Sequence, residues 1–366
     1  MTARTATLAV ITACTIGQIG CKVEIQRDQD TLPLSFKVEM REPTGKVDAP
    51  LPYSTTPQSY TLDIQAVDFN GEKADWFNGE VYFDVAPRGR LAKGQPRTVM
   101  IKDGKAEGVV VAIEKVHGAS NLWVEDRGTD AKPGSYATGL SPTLHYENPT
   151  LREISETDNI AGSALNGDFV HINTANRRLI ATGIAVDGFY LTDLDEPTAA
   201  FNAIFAHTHS RPEGVVQGDQ IVDIIGTVEE FYGFTELGFP TYKVKGHVDE
   251  IPVFELTLPL IADDLGMEEL ESRLVQVRDV TVCELGDGYN TFGQWVVLLD
   301  EQGDCSSGDG GITIVSALSA TNFTPEPYVG DKLESITGDL RYHVAARPPW
   351  IMYTRSDADI VPTNAE

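Results

Sequence analysis

Cysteine is scarce: four residues in 366, with Cys14 and Cys21 inside an apolar N-terminal stretch and only Cys283 and Cys305 beyond it. Two thiols with no histidine between them are too few for a cysteine-based zinc site. Positive charge is also scarce. Lys and Arg total 28 against 55 Asp and Glu, and the shortfall is local: residues 1–150 hold 19 acidic and 16 basic side chains, residues 151–366 hold 36 and 12. Such a deficit disfavours a nucleic-acid partner, because each phosphate contact wants a Lys or Arg. It suits a solvated surface, or a cation or basic partner. Apolar runs are short after residue 20, so no later segment reaches the ~20 residues that a membrane helix needs. Catalytic signatures are missing: there is no Gly-x-Ser-x-Gly, no His-Glu-x-x-His and no glycine-rich phosphate loop with Lys. Because catalytic groups converge in space rather than in sequence, an enzyme would still reveal itself by a pocket that gathers titratable groups.

What the chain does contain points to β structure. An apolar fraction of 41% supports packed cores, while 33 Gly and 20 Pro suit many turns between short strands. The length predicts two to four domains. At the N-terminus Arg4 precedes the apolar or small residues 5–20 (TATLAVITACTIGQIG). This segment is too short to span a bilayer but suits the apolar region of an export signal. It resembles the signal of bacterial lipoproteins, in which a Cys after small residues carries the lipid. Gly20-Cys21 gives a signal of normal length, with Gln18 where that family prefers Leu. Ile11-Thr12-Ala13-Cys14 fits the motif better but leaves a short signal. If Cys21 is lipidated, Cys14 is removed, and Cys283 and Cys305 remain as an even pair in an oxidising compartment. A disulfide between them would contribute about 3 kcal/mol.

Five segments organise the chain: a signal (1–21), a polar tether (22–33), a β-sandwich (34–146) and two barrels (147–262 and 263–366). Runs such as YTLDIQAVD (60–68), GEVYFDVAP (79–87) and NLWVED (121–126) alternate apolar and polar residues between turns, as strands of a sandwich do. In pattern and strand count this region resembles immunoglobulin-like modules of bacterial surface proteins. Without their cysteine pin, Trp76 and Trp123 are expected in its core. Residues 147–159 read as a linker or short helix, and 263–272 (DDLGMEELES) as a helix between the barrels. A weak repeat follows the sandwich. Gly218-Asp219 with Gly226 recurs as Gly330-Asp331 with Gly338, and GFYLTDLDE (188–196) corresponds loosely to GQWVVLLDE (293–301). The strand order resembles the OB-fold, and more closely the OB-type domains that accompany secreted bacterial nucleases. The resemblance implies an all-β chain of one sandwich and two Greek-key barrels. It would place a ligand face on Phe189, Tyr190, Phe292 and Trp295, with Arg177, Arg178, Arg341, Arg347 and Arg355 as the few basic neighbours.

Other chemistry is sparse. His207 and His209 alternate in AHTHSRP and would share a metal if that segment were extended, with Asp193 and Asp195 as partners. Asp193, Asp195 and Glu196, then Asp287, Asp300 and Glu301, then Asp304 and Asp309 offer oxygen ligands of the kind calcium prefers, without the EF-hand pattern. The expectation is a non-catalytic, lipid-anchored envelope protein, at the periplasmic or outer-membrane surface, that binds a protein or glycan. The alternative is a nucleic-acid-binding accessory of a secreted nuclease system.

Overall fold

The computed structural model describes residues 33 and 35–363, apart from 130–131, 158–161, 197, 199, 300–302 and 306–307. Cys14, Cys21 and all of the tether except Pro33 lie outside the described residues. No described helix is long and apolar enough to cross a membrane.

The first strands in chain order are β1 (Ser35–Met40), β2 (Gln58–Val67), β3 (Gly79–Ala86), β4 (Arg90–Leu91), β5 (Thr98–Ile101), β6 (Lys105–Glu114), β7 (Gly118–Glu125), β8 (Gly128–Thr129), β9 (Lys132–Pro133), β10 (Thr138–Leu140) and β11 (Leu144–Tyr146). They build two sheets, β1-β2-β6-β4 and β10-β7-β3-β5, with β11 also paired to β7 and β8–β9 a small ribbon. The strict alternation in β2 and β3 turns one face of each inward, and Leu62, Ile64, Val81, Phe83, Leu122 and Val124 meet there. The two tryptophans do not join them, contrary to expectation. In β7, Leu122 and Val124 take the inward positions, so Trp123 falls on the outer face, edge-on to Tyr82 at 5.9 Å with Arg127 above it. Trp76 sits in a loop and is 40% exposed.

The remaining strands are β12 (Phe169–His171), β13 (Leu179–Ile184), β14 (Gly188–Asp193), β15 (Ala203–His207), β16 (Asp219–Phe231), β17 (Phe234–His247), β18 (Phe254–Glu255), β19 (Leu274–Val282), β20 (Gln294–Leu298), β21 (Gly311–Val315), β22 (Lys332–Tyr342), β23 (Trp350–Tyr353) and β24 (Ile360–Pro362). They close two five-stranded barrels of the same OB-like topology. In the first, β13-β14-β15-β17-β16 returns to β13, with β15 and β17 parallel. In the second, β19-β20-β21-β23-β22 returns to β19, with β21 and β23 parallel.

The glycine repeat has two physical causes. Gly218 and Gly330 enter their strands at φ +93° and +85°, a left-handed turn that disfavours other side chains. Gly226 and Gly338 instead lie under a neighbouring strand: a Cβ would come within 2.9 Å of Gly238 O and 2.7 Å of Tyr353 O respectively.

The helices are short. α1 (Leu151–Ser155) begins with a capping box between Thr150 and Glu153 and buries Leu151 and Ile154 against the first barrel. α2 (Leu258–Ile261) and α3 (Asp264–Glu268) occupy the bridge, and α4 (Asp287–Phe292) follows β19. The helix expected over 263–272 therefore ends early. Its last residues turn to bury Glu271, and Ser272, at φ +65°, donates its N–H to Leu340 O of the second barrel. The Cys283–Cys305 disulfide is formed and ties the loop before β21 to the end of β19.

Candidate functional site

β22 explains why the barrels touch. It is buried continuously from Ser335 to Leu340, whereas a strand with one wet face would alternate. One face fills the second barrel; the other packs on the first. Asp339 lies on that outer face, cross-strand from Tyr353, and Arg341 follows two residues on. From the first barrel, Gly183 pairs with Tyr190 and Tyr190 with Phe205 across β13, β14 and β15. Pressing these surfaces together leaves a cleft of about 370 Å³. Its floor and sides carry Tyr190, Phe205, Asp339, Arg341 and Tyr353; Asp187 and Arg211 stand on the first barrel's side, and Leu318 and Ser319 on the second's.

The floor is a buried seam. Thr182 Oγ1 donates to Asp339 Oδ1 at 2.8 Å, and Arg355 donates to Thr182 O at 3.3 Å while holding Asp359 at 2.7 Å. The second carboxylate oxygen of Asp339 faces Gly183, where a Cβ would lie 1.9 Å from it. Burial pushes the Asp339 carboxyl up to about 7, against the opposing pulls of the Thr182 hydroxyl and Arg355. Burial also raises the Tyr190 and Tyr353 phenols, so both keep their protons at neutral pH. Arg341 lies 4.4 Å from the Phe234 ring centre and 5.8 Å from that of Phe205. Its Nε has no hydrogen-bond partner, and among the described residues no carboxylate stands within ion-pair distance of it.

The residues expected at a ligand face fare unequally. Tyr190 lines the cleft. Phe189, its neighbour on the opposite side of β14, is fully buried against Tyr242 at 5.0 Å. Trp295 is buried in the second barrel, donating to Ser316 Oγ at 3.0 Å. Neither can present a stacking surface, because alternation turns both inward. Phe292 is exposed but sits on α4, away from the cleft lining. Arg177 and Arg178 are spent on ion pairs: Arg177 meets Asp193 at 2.5 Å and Glu196 at 3.2 Å, and Arg178 meets Asp195 at 2.6 Å. The oxygens of TDLDEP thus face guanidinium groups rather than a cation. Arg347 donates to its own loop, at Val344 O and Ala346 O.

The histidine pair does not converge on a metal. His209 adopts φ +59°, so the segment is not extended there, and its ring lies against His207 with centres 3.9 Å apart. The two rings are tilted by 31° to each other. His207 Nδ1 is also engaged by Glu236 at 2.8 Å. Asp287 heads α4, Asp304 and Asp309 pair through their backbones, and Asp300 and Glu301 lie outside the described residues. Among the described residues no group of three or more His, Cys, Asp or Glu is placed to hold a metal.

Asp339, Tyr353 and Thr182 were not singled out by sequence. The available signal was a charged residue inside a strand: Asp339 in ITGDLRY stands where only burial on both faces, or function, explains an acid. No family model matches the chain, and no curated protein matches it.

Proposed function

We propose that this chain is an exported, lipid-anchored binding module whose ligand seat is the cleft between its two barrels. The observation that carries the reading is the gathering of Arg341, Tyr190 and Tyr353 around one cavity with no protein partner for the guanidinium. A half-buried charge without a counter-ion is costly, so it is retained where a ligand completes it. Export and anchoring rest on the N-terminal segment and on a disulfide that suits an oxidising compartment. The shortage of Lys and Arg beyond residue 150 favours this reading over the nucleic-acid one.

The purified chain should melt higher in the low-molecular-weight filtrate of envelope extract, and Leu318→Trp, which narrows the cleft, should abolish the rise. A rise only with the macromolecular fraction, unchanged in Leu318→Trp, would move the function to the outer surface. Fatty-acid labelling should be lost in Cys21→Ser if that cysteine is the anchor and in Cys14→Ser if the shorter signal is used. Labelling that survives in the double variant would remove the anchor.

One observation favours a second, catalytic reading: an acid held near neutrality beside a cleft is what general acid catalysis uses. Binding is preferred because the candidate nucleophile, Ser319, hydrogen-bonds to Thr354 O and, at 3.0 Å, to Thr354 Oγ1, and to no base among the described residues. Turnover of any filtrate component that ceases in Asp339→Asn would reverse that preference.

A further inference from the structure

We infer that the cleft takes a small organic carboxylate, its anionic group on Arg341 and its apolar body along Val186, Val315 and Leu318. The inference rests on the cleft being the ligand seat and adds the class of ligand.

Charge argues first. The two arginines at the seam differ: Arg355 is paired with Asp359 and bonded to Thr182 O, whereas the Arg341 guanidinium donates to no described residue. Its guanidinium carbon lies 4.4 Å from the Phe234 ring centre and 5.8 Å from that of Phe205, so the head group rests on an aromatic wall before a ligand arrives. A planar fork of this kind matches a carboxylate with two parallel bonds. Arg211, exposed at the cleft, adds a second positive charge. Burial raises the Asp339 carboxyl to about 7, so its negative charge is reduced at neutral pH and suppressed below it.

Hydrogen bonding argues next. The Tyr190 and Tyr353 hydroxyls have no partner among the described residues, and burial keeps both protonated, so they serve as donors. Together with the Arg341 guanidinium they place donors on the cavity wall, which suits an acceptor-only group. A neutral ligand would leave Arg341 uncompensated, and a cation would be repelled by it.

Size and field set the upper limit. A cavity of about 370 Å³ lies at the small end of ligand sites. Asp187 at its edge and a net charge of −27 over the whole chain oppose a polyanion. One negative charge on an apolar body fits both constraints. Such a group occurs on a free acid and on the C-terminus of a short peptide, which present the same chemistry to Arg341.

The test is calorimetric titration of the full chain with 3-phenylpropionate and octanoate, each beside its primary amide, with a tripeptide bearing a free or amidated C-terminus, and with inorganic phosphate. At least one acid should bind about tenfold or more tighter than its amide. Acids without the peptide assign a free ligand; the free-ended peptide in preference to the small acids assigns a chain end. Arg341→Gln should erase the preference for acid over amide, and Arg341→Lys, which keeps the charge but loses the fork, should retain part of it. Tyr353→Phe should weaken the acids several-fold. Should Arg341→Gln fail to fold, the acid-to-amide ratio of the native chain still decides. Equal binding of acids and amides, or phosphate bound in preference to both, overturns the carboxylate assignment and leaves the cleft as a seat for other ligands. No binding of any acid or peptide, while extract filtrate still raises the melting temperature, overturns the assignment alone. If the filtrate also has no effect, the cleft reading falls with it.

Discussion

Replacing Asp339 by Asn should flatten part of the pH dependence of stability. In the native chain the Asp339 carboxyl is buried, bonded to Thr182 and pushed up to about 7, well above its ordinary value. A raised carboxyl favours the folded state while it keeps its proton. That advantage is lost as pH climbs from the ordinary carboxylate range through about 7, because the unfolded chain ionises first. Between about pH 5 and about pH 8 this one group should cost the native chain roughly 2–3 kcal/mol. Asn keeps the shape and the acceptor for Thr182 but cannot ionise. Melting temperatures across that window should therefore fall less in Asp339→Asn, by roughly 5–10 °C for a unit the size of the two barrels. A residual slope should remain, since burial also pushes Glu268 up to about 7 beside the half-buried Glu230 and the buried Glu271. If Asp339→Asn loses as much stability on alkalinisation as the native chain, Asp339 is not protonated in the fold and the account of the seam is wrong.

Other substitutions probe the same architecture. Gly183→Ala places a methyl 1.9 Å from Asp339 Oδ2 and should destabilise the barrel pair by roughly 1–3 kcal/mol in denaturant titrations; an unchanged midpoint would show that the seam can yield. Arg177→Met takes the arginine from Asp193, whose side chain is 1% exposed, and leaves Glu196, 8% exposed, to Arg152 at 3.5 Å; it should cost about 3–5 kcal/mol, read by thermal melting; a loss below about 1 kcal/mol would mean that the pair is solvated. Cys305→Ala opens a cross-link spanning 22 residues and should cost about 3 kcal/mol under non-reducing conditions, with reduction of the native chain giving the same loss; an unshifted midpoint in both would show that the cross-link does not restrain the unfolded chain.

The barrels were legible because their turn chemistry repeats. A left-handed glycine before an aspartate, then a glycine where strands crowd, recurs at the same spacing in both copies. The sandwich strands were legible from alternation, but the side that each tryptophan faces was not. Trp123 alternates with Leu122 and Val124, and composition alone gave the larger ring to the core when packing chose the aliphatic pair. The histidine reading failed at one dihedral: the left-handed backbone of His209 breaks the alternation and lays its ring against that of His207. The cleft was hidden for a different reason. Thr182 and Asp339 are 157 positions apart, and nothing local to either strand reports that two barrel faces will meet.

The two barrels share a topology but not a boundary. Docking a β22 surface onto a β13–β15 surface is a head-to-tail arrangement, and such contacts have no inherent end: each added copy would offer the next one a fresh acceptor. In the second barrel the matching acceptor is closed from within. Thr313, which stands where Phe205 stands in the first, donates to Pro348 O at 2.9 Å, and Ala346 packs on Val315 and Ile351. Residues 343–349 thus cover, within the same chain, the face on which a third unit would have to dock.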